Sequence, residues 1–255
     1  MQFKIGLSAL LLFLFTTSAQ AIPENYAELE YSHSGLNNGF TDWNDINLLN
    51  YFGIGAERFV VETDYKSHFG ESAGVLGVNY THTYNELWYQ DFATSFSTDS
   101  AILPGFVIFS EIHRKLLLDQ SLIAGLGIGH NVSQEPYSDN YGLAELQYYL
   151  TDRLSLQGGA RINRSSPGTV VTARGFLGAN YTNDHWDGYV RYEAGREGYT
   201  VVGENEFKNE FESQEETLQV HYWFKKGFGL GGRVDFYQSS FYDRNEIALD
   251  FLVKY

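Results

Sequence analysis

The last ten residues, "EIALDFLVKY", alternate without a break. Ile247, Leu249, Phe251, Val253 and Tyr255 fall on one phase, and Ala248, Asp250, Leu252 and Lys254 on the other. Successive side chains of a strand point to opposite faces, so this segment has one apolar face and one mixed face. "GLGGRVDFYQSS" repeats the pattern with Leu230, Val234 and Phe236 opposite Arg233, Asp235 and Tyr237. "TLQVHYWFKK" sets Leu218, Val220, Tyr222 and Phe224 against Gln219, His221 and Trp223. The same period predicts strands at 187–200, 169–182, 153–164, 141–151, 121–132, 105–117, 86–97, 72–83, 56–66, 45–53 and 25–34. Helical periodicity is lacking throughout. The expectation is about 14 strands, with 12 or 16 as the neighbouring counts.

The connections predicted between these strands alternate in kind. Short ones lie near 53–55, 83–86, 119–120, 151–153, 183–187 and 226–229. Longer, more polar ones lie at 35–44, 67–71, 98–104, 133–140, 165–168, 201–215 and 239–245. Pro104, Pro136 and Pro167 fall in the longer set, where a missing N–H breaks no ladder. Short turns at one end, longer loops at the other and an even strand count describe a transmembrane antiparallel β-barrel closed by an aromatic C-terminal strand. Hydrocarbon leaves backbone polar groups unsatisfied, so strands cross it only when closed into a barrel. The apolar phase then meets lipid and the mixed phase the lumen. Tyr80, Tyr181, Tyr222 and Tyr255 lie near strand ends, where interfacial girdles form. A secreted sandwich or lipocalin-like barrel would turn its apolar face inward. Segment number and the polarity of the opposite face favour the membrane barrel.

The N-terminus adds a compartment. Lys4, the apolar run Ile5–Phe15 and Ala19-Gln20-Ala21 have the three-part form of a signal peptide, predicted over residues 1–21. The barrel domain is then 22–255, placed in the outer membrane of a Gram-negative bacterium. A formal charge of −15 argues against a nucleic-acid partner. With no cysteine, the barrel holds itself by burial and backbone hydrogen bonds, without disulfides.

Candidate chemistry lies in three places. Arg58, Glu62, Asp64, Glu111, His113, Arg161, Arg174, Arg191, Glu193, Arg233, Asp235 and Asp250 all fall on the lumen phase. They either pair across strands and plug the barrel or form charged rings of a channel, and sequence leaves both open. The stretch "EYSHSGLNNGFTDWNDINLL" gathers His33, Ser34, Asp42, Asn44 and Asp45. A hydrolase would need His33 beside Ser34, yet adjacent residues diverge on a strand. Asp42, Asn44 and Asp45 lack the ligand frame of a calcium loop. The third place is the acidic run Glu204, Glu206, Glu210, Glu212, Glu215 and Glu216, read as a solvated loop that could hold divalent cations against lipopolysaccharide.

The residues that carry a family resemblance are Tyr31-Ser32, Asn38-Gly39 and Asp42-Trp43, then Leu103-Pro104 in "ILPGFVIFSEIHRKLL", and the closing "LGGRVDFYQSSFYDRNEIALDFLVKY". Together they resemble the YaiO-type outer-membrane β-barrel family. The first six are read as its motif loop. The resemblance implies outer-membrane lipids and lipopolysaccharide as surroundings; the terminal aromatic strand resembles the signal that barrel-assembly machinery recognises, and no cofactor is expected. It also implies an association with exopolysaccharide export in some members, which makes a polysaccharide a candidate partner. The expected function is non-enzymatic and porin-like, or tied to that export. The alternatives are a lipid-modifying hydrolase using His33 and Ser34, and a plugged structural or adhesion barrel.

Overall fold

The computed structural model describes residues 25–98, 103–133, 137–201, 207–224 and 227–255. Among them are fourteen strands and no helix: β1 Tyr26–Leu36, β2 Trp43–Ile54, β3 Glu57–His68, β4 Glu71–Thr83, β5 Trp88–Ser97, β6 Phe106–Leu116 and β7 Leu122–Val132. They continue as β8 Ser138–Tyr149, β9 Leu154–Ser166, β10 Val170–Thr182, β11 Trp186–Val201, β12 Phe207–Trp223, β13 Phe228–Ser239 and β14 Asp243–Lys254. Each pairs antiparallel with its neighbours in chain order, and β1 closes on β14 from Tyr26 opposite Lys254 to Leu36 opposite Arg244. Closure leaves no open edge. An even strand count brings both ends of the barrel chain to one rim, here called the terminal rim.

Burial is inverted relative to a soluble domain. On β14, Ile247 is 64% exposed and Leu249 66%, while Arg244, Glu246 and Asp250 are buried. The same inversion recurs around the wall, with Leu76, Ile108, Leu126, Ile162 and Leu177 facing out. Water would charge about 25 cal/mol for each Å² of that apolar surface, whereas hydrocarbon does not. The apolar phase therefore faces outward, which removes the lipocalin-like alternative. Phe52, Phe59, Tyr80 and Phe92 stack across β2–β5 at centroid spacings of 5.3, 5.1 and 6.1 Å near the terminal rim. Tyr181, Tyr222 and Tyr255 lie near the same rim, as an interfacial girdle requires.

The structure corrects three expectations. The long connection placed at 201–215 is mostly strand, because β12 begins at Phe207 and pairs with β11 down to Val201. Glu210, Glu212, Glu215 and Glu216 thus sit on a strand, while Glu204 and Glu206 lie outside the described residues. The two rims do not differ clearly in connection length either. Opposite the terminal rim, residues 69–70 alone join β3 to β4, with Phe69 and Gly70 both in left-handed conformation (φ 54° and 83°). Thirdly, the connection expected at 35–44 spans only 37–42, so Trp43 opens β2, while Tyr31 and Ser32 of the motif lie in β1, within the strand expected at 25–34. The signal peptide predicted over 1–21 lies outside the described residues.

Candidate functional site: the polar interior of the barrel

Alternation sends every second side chain of each strand inward, and the charged ones meet there. On β10–β14 and β1 they form adjacent ion-paired clusters. Arg233 reaches Glu30 at 2.9 Å, Asp235 at 3.0 Å and Glu246 at 2.8 Å. Thr217 and Ser34 each donate a hydroxyl hydrogen bond, to Asp235 and Glu246 respectively, both at 2.5 Å. Arg244 pairs with Glu215 at 2.7 Å. Arg174 pairs with Glu197 at 2.7 Å and Glu193 at 3.2 Å, and Arg191 with Glu193 at 2.8 Å. Nearer the terminal rim, His221 is held between Asp187 and Asp250, each 3.0 Å from one ring nitrogen.

A different arrangement occupies β5–β8. Glu111, His113 and Glu145 are buried and converge, with Asp91 beside them. No arginine or lysine forms an ion pair with these three among the described residues. A third sector, β2–β3, holds Lys66 between Asp64 at 3.4 Å and Asp45 at 3.8 Å.

At the far rim the motif segment joins the β13–β14 connection in an aromatic cap against that sector of the wall. Buried Trp43, Tyr237 and Tyr242 pack with Leu36, Phe40, Phe69 and Phe241. His68 stacks on Trp43 with centroids 4.1 Å apart, and the Arg244 guanidinium lies 5.4 Å from the Trp43 ring. Asn38 donates to the Phe241 carbonyl at 2.7 Å, tying the 37–42 turn to the connection between β13 and β14. Asn38 is left-handed (φ 57°) and Gly39 follows at φ 80°, a pair of residue types that tolerate this turn. Asn38, Gly39 and Asp42 thus shape a turn; Trp43 fills the cap.

The twelve predicted lumen residues all sit on the inward phase of their strands. Asp64, Glu111, His113, Arg174, Arg233, Asp235 and Asp250 are buried, whereas Arg58, Glu62, Arg161, Arg191 and Glu193 are half-buried. Sequence reasoning passed over their partners Glu28, Glu30, Asp91, Glu145, Arg244 and Glu246, and read Glu215 as part of a solvated loop. Each of these occupies the same inward phase, so the signal was present in the alternation. His33 and Ser34 separate across the wall. His33 is outward, 3.0 Å from Asn44 Oδ1, and Ser34 is inward on Glu246. They form no nucleophile–base pair. Asn44 likewise faces out, while Asp45 faces in toward His68 at 2.9 Å, so the Asp42, Asn44 and Asp45 carboxamide and carboxylates do not converge on one point.

The fold is shared by solved outer-membrane proteins. A bacterial polysaccharide outer membrane secretin superposes with a TM-score of 0.57 at 6% identity, covering 92% of this chain and 99% of its own. An outer membrane channel from Pseudomonas putida F1 gives 0.56 at 9% identity, covering 94% and 98%. An anion-selective porin from Comamonas acidovorans gives 0.52 at 9% identity, covering 91% and 98%. No curated protein sequence matches the chain significantly. The YaiO membrane beta barrel domain profile matches residues 24–200, most of the barrel, and the chain belongs to that family of outer-membrane β-barrels.

Proposed function

We propose that this barrel is a non-enzymatic, narrow conduit for small polar solutes that favours neutral and cationic species. The observation that carries the reading is a closed barrel whose inward phase is polar and dominated by carboxylates. Glu28, Glu30, Glu62, Asp64, Asp91, Glu111, Glu145, Asp187, Glu193, Glu215, Asp235, Glu246 and Asp250 face a smaller set of inward bases. Like charge focused in a low-dielectric tube repels anions and concentrates cations.

The path is uneven. Inward side chains on β6–β8 and β12–β14 are mostly buried against one another, but Arg58, Glu62, Asn79, Thr81, Ala93 and Ser95 on β3–β5 are only half-buried. Half-buried inward side chains recur on β9–β11 at Arg161, Arg191 and Glu193, so the remaining solvent space runs along both sectors, with Arg58 and Glu62 on the first. Export of an exopolysaccharide, which the family resemblance implies, would require the ion-paired wall and the aromatic cap to move aside. A plugged barrel would conduct nothing.

Purified protein in planar bilayers tests this. The expected result is small, discrete conductance steps with a reversal potential on the cation side in a salt gradient. Glu62→Gln is expected to reduce that selectivity. Absence of conductance from heat-modifiable, folded protein would overturn the conduit, and an anion-side reversal potential would overturn the preference.

A further inference from the structure

We infer that Glu111, His113 and Glu145, with Asp91 at its mouth, form a binding site for one divalent transition-metal cation inside the barrel wall. The site grows out of pairing register. Asp91 on β5 lies opposite Glu111 on β6, and His113 lies opposite Gly125 on β7, which in turn lies opposite Glu145 on β8. Four adjacent strands thus aim four ligand-type side chains at one patch of wall.

Gly125 supplies the floor. A Cβ there would come within 2.4 Å of Glu111 Oε1, 2.9 Å of Glu145 Cγ and 3.0 Å of His113 Nδ1, so three side chains lean into the room its missing side chain leaves. Next along the inward face, Gly127 and Gly129 accommodate Phe109 and Tyr141 in the same way. Those two rings stack 5.7 Å apart and wall off that side. Tyr89 stacks on the His113 imidazole at 4.3 Å with 8° between planes and fixes its orientation.

What distinguishes this cluster from an ordinary ion pair is that the Glu111 carboxylate, buried at its centre, has no hydrogen-bond partner. Glu111 is 0% exposed and His113 1%. Neither Glu111 carboxylate oxygen and neither His113 ring nitrogen has a hydrogen bond of good geometry. The closest charged contacts are His113 Nε2 to Asp91 Oδ2 at 2.9 Å and to Glu111 Oε2 at 3.8 Å. A buried carboxylate without a partner costs several kcal/mol, and burial on this scale is compensated by protonation, a counter-charge or a bound cation. The second cluster of similar composition, Glu28, His221 and Asp250, provides the contrast. There both ring nitrogens of His221 already meet carboxylates at 3.0 Å, so the imidazole has no nitrogen left to offer an ion.

The donor set is one imidazole nitrogen with carboxylate oxygens, their ligand atoms all within 4.8 Å of one another. Small side-chain rotations bring such atoms to the roughly 2.0–2.2 Å reach of zinc, and the mixed N/O set suits first-row divalent ions over calcium or magnesium. Asp91 retains 23% side-chain exposure and gives the ion a carboxylate to meet on entry from the lumen.

The test is titration of chelator-stripped, detergent-solubilised barrel with Zn²⁺ alone, followed by calorimetry and metal analysis. One ion per chain is expected. Glu111→Gln and His113→Ala are each expected to weaken binding by at least about tenfold, as loss of a ligand should exceed loss of an outer-shell partner. Glu28→Gln is expected to leave it unchanged. Heat-modifiable mobility shows whether each variant is folded. Thermal unfolding of the unaltered protein, expected at higher temperature with Zn²⁺ than with chelator, gives a readout that needs no variant. Stoichiometry near zero, no thermal shift, or equal affinity in folded Glu111→Gln would overturn the site and leave protons as what neutralises these carboxylates.

Discussion

Asn37 and Asp243 clasp each other across the seam where the first and last strands meet. The Asn37 backbone N–H donates to the Asp243 carbonyl at 3.2 Å, its side-chain amide donates to the Asp243 carboxylate at 2.8 Å, and the Asp243 N–H donates back to the Asn37 side-chain oxygen at 2.8 Å. The β1–β14 pairing is the contact of highest sequence separation in the barrel, so it carries the largest closure entropy and gains most from a local lock. Asn37→Ala removes two of the three bonds and is expected to cost about 1–2 kcal/mol. Urea unfolding in detergent, followed by tryptophan fluorescence, checks this. An unchanged midpoint would mean that strand pairing alone closes the barrel.

Arg233 is the sole cation within reach of Glu30, Asp235 and Glu246 together among the described ion pairs. Arg233→Met keeps much of the volume and leaves three carboxylates facing one another with Arg244 beyond them. Breaking a buried pair from one side is expected to cost about 3–5 kcal/mol. Adding Glu246→Gln to Arg233→Met should recover part of that loss, since it removes one uncompensated charge. Additive losses in the double variant would show that the network is not coupled.

The strand pattern was legible because lipid imposes it locally: Ile247 must differ from Glu246 whatever the rest of the chain does. That is why strand number and inward phase follow from alternation. Loop length was not legible. Glu210, Glu212, Glu215 and Glu216 read as a solvated connection by composition, yet Glu215 faces inward onto Arg174 and Arg244, and its neighbours ride a strand paired with β11. Clusters were legible in membership but not in assembly. Glu111 and His113 could be placed on one face of one strand, whereas Glu145 joins them only through the register of β6, β7 and β8. The glycines at 125, 127 and 129 were the missing clue, since three small residues on one phase of a strand leave room that neighbouring side chains must fill.

Gly195 marks where β11 leaves β10. It is the last β11 residue paired with β10, opposite Arg174, and beyond it β11 runs on with β12 alone. Its φ of 153° lies outside the range that L side chains favour, and a Cβ would sit 2.3 Å from the Ala173 carbonyl oxygen and 2.6 Å from Arg174 Cα. Those are backbone atoms, which cannot swing away. Gly195→Ala is expected to lose about 1–3 kcal/mol from conformational strain and a similar amount from overlap. Gly35→Ala, where a Cβ meets nothing within 4 Å, is the matched control and should be near neutral. Equal midpoints for the two variants would show that the branch point relaxes freely.

Trp43 separates the two jobs that the motif segment could perform, holding the barrel together and narrowing its opening. It is 2% exposed, stacked on His68 and edge-on to Phe69 at 5.1 Å, with Arg244 over its face. Trp43→Ala is expected to cost about 3–5 kcal/mol, as for other large aromatic deletions in a packed cluster. If the cap also sets the bore at the far rim, single-channel conductance should rise in folded Trp43→Ala. Trp43→Phe keeps most of the ring and should leave conductance close to that of the unaltered barrel. The decisive measurement is conductance and unfolding midpoint on the same preparations. A lower midpoint with unchanged conductance would confine Trp43 to stability and move the constriction to the ion-paired wall around Arg233. A rise in conductance that Trp43→Phe does not share would place the narrowest point at the aromatic cap.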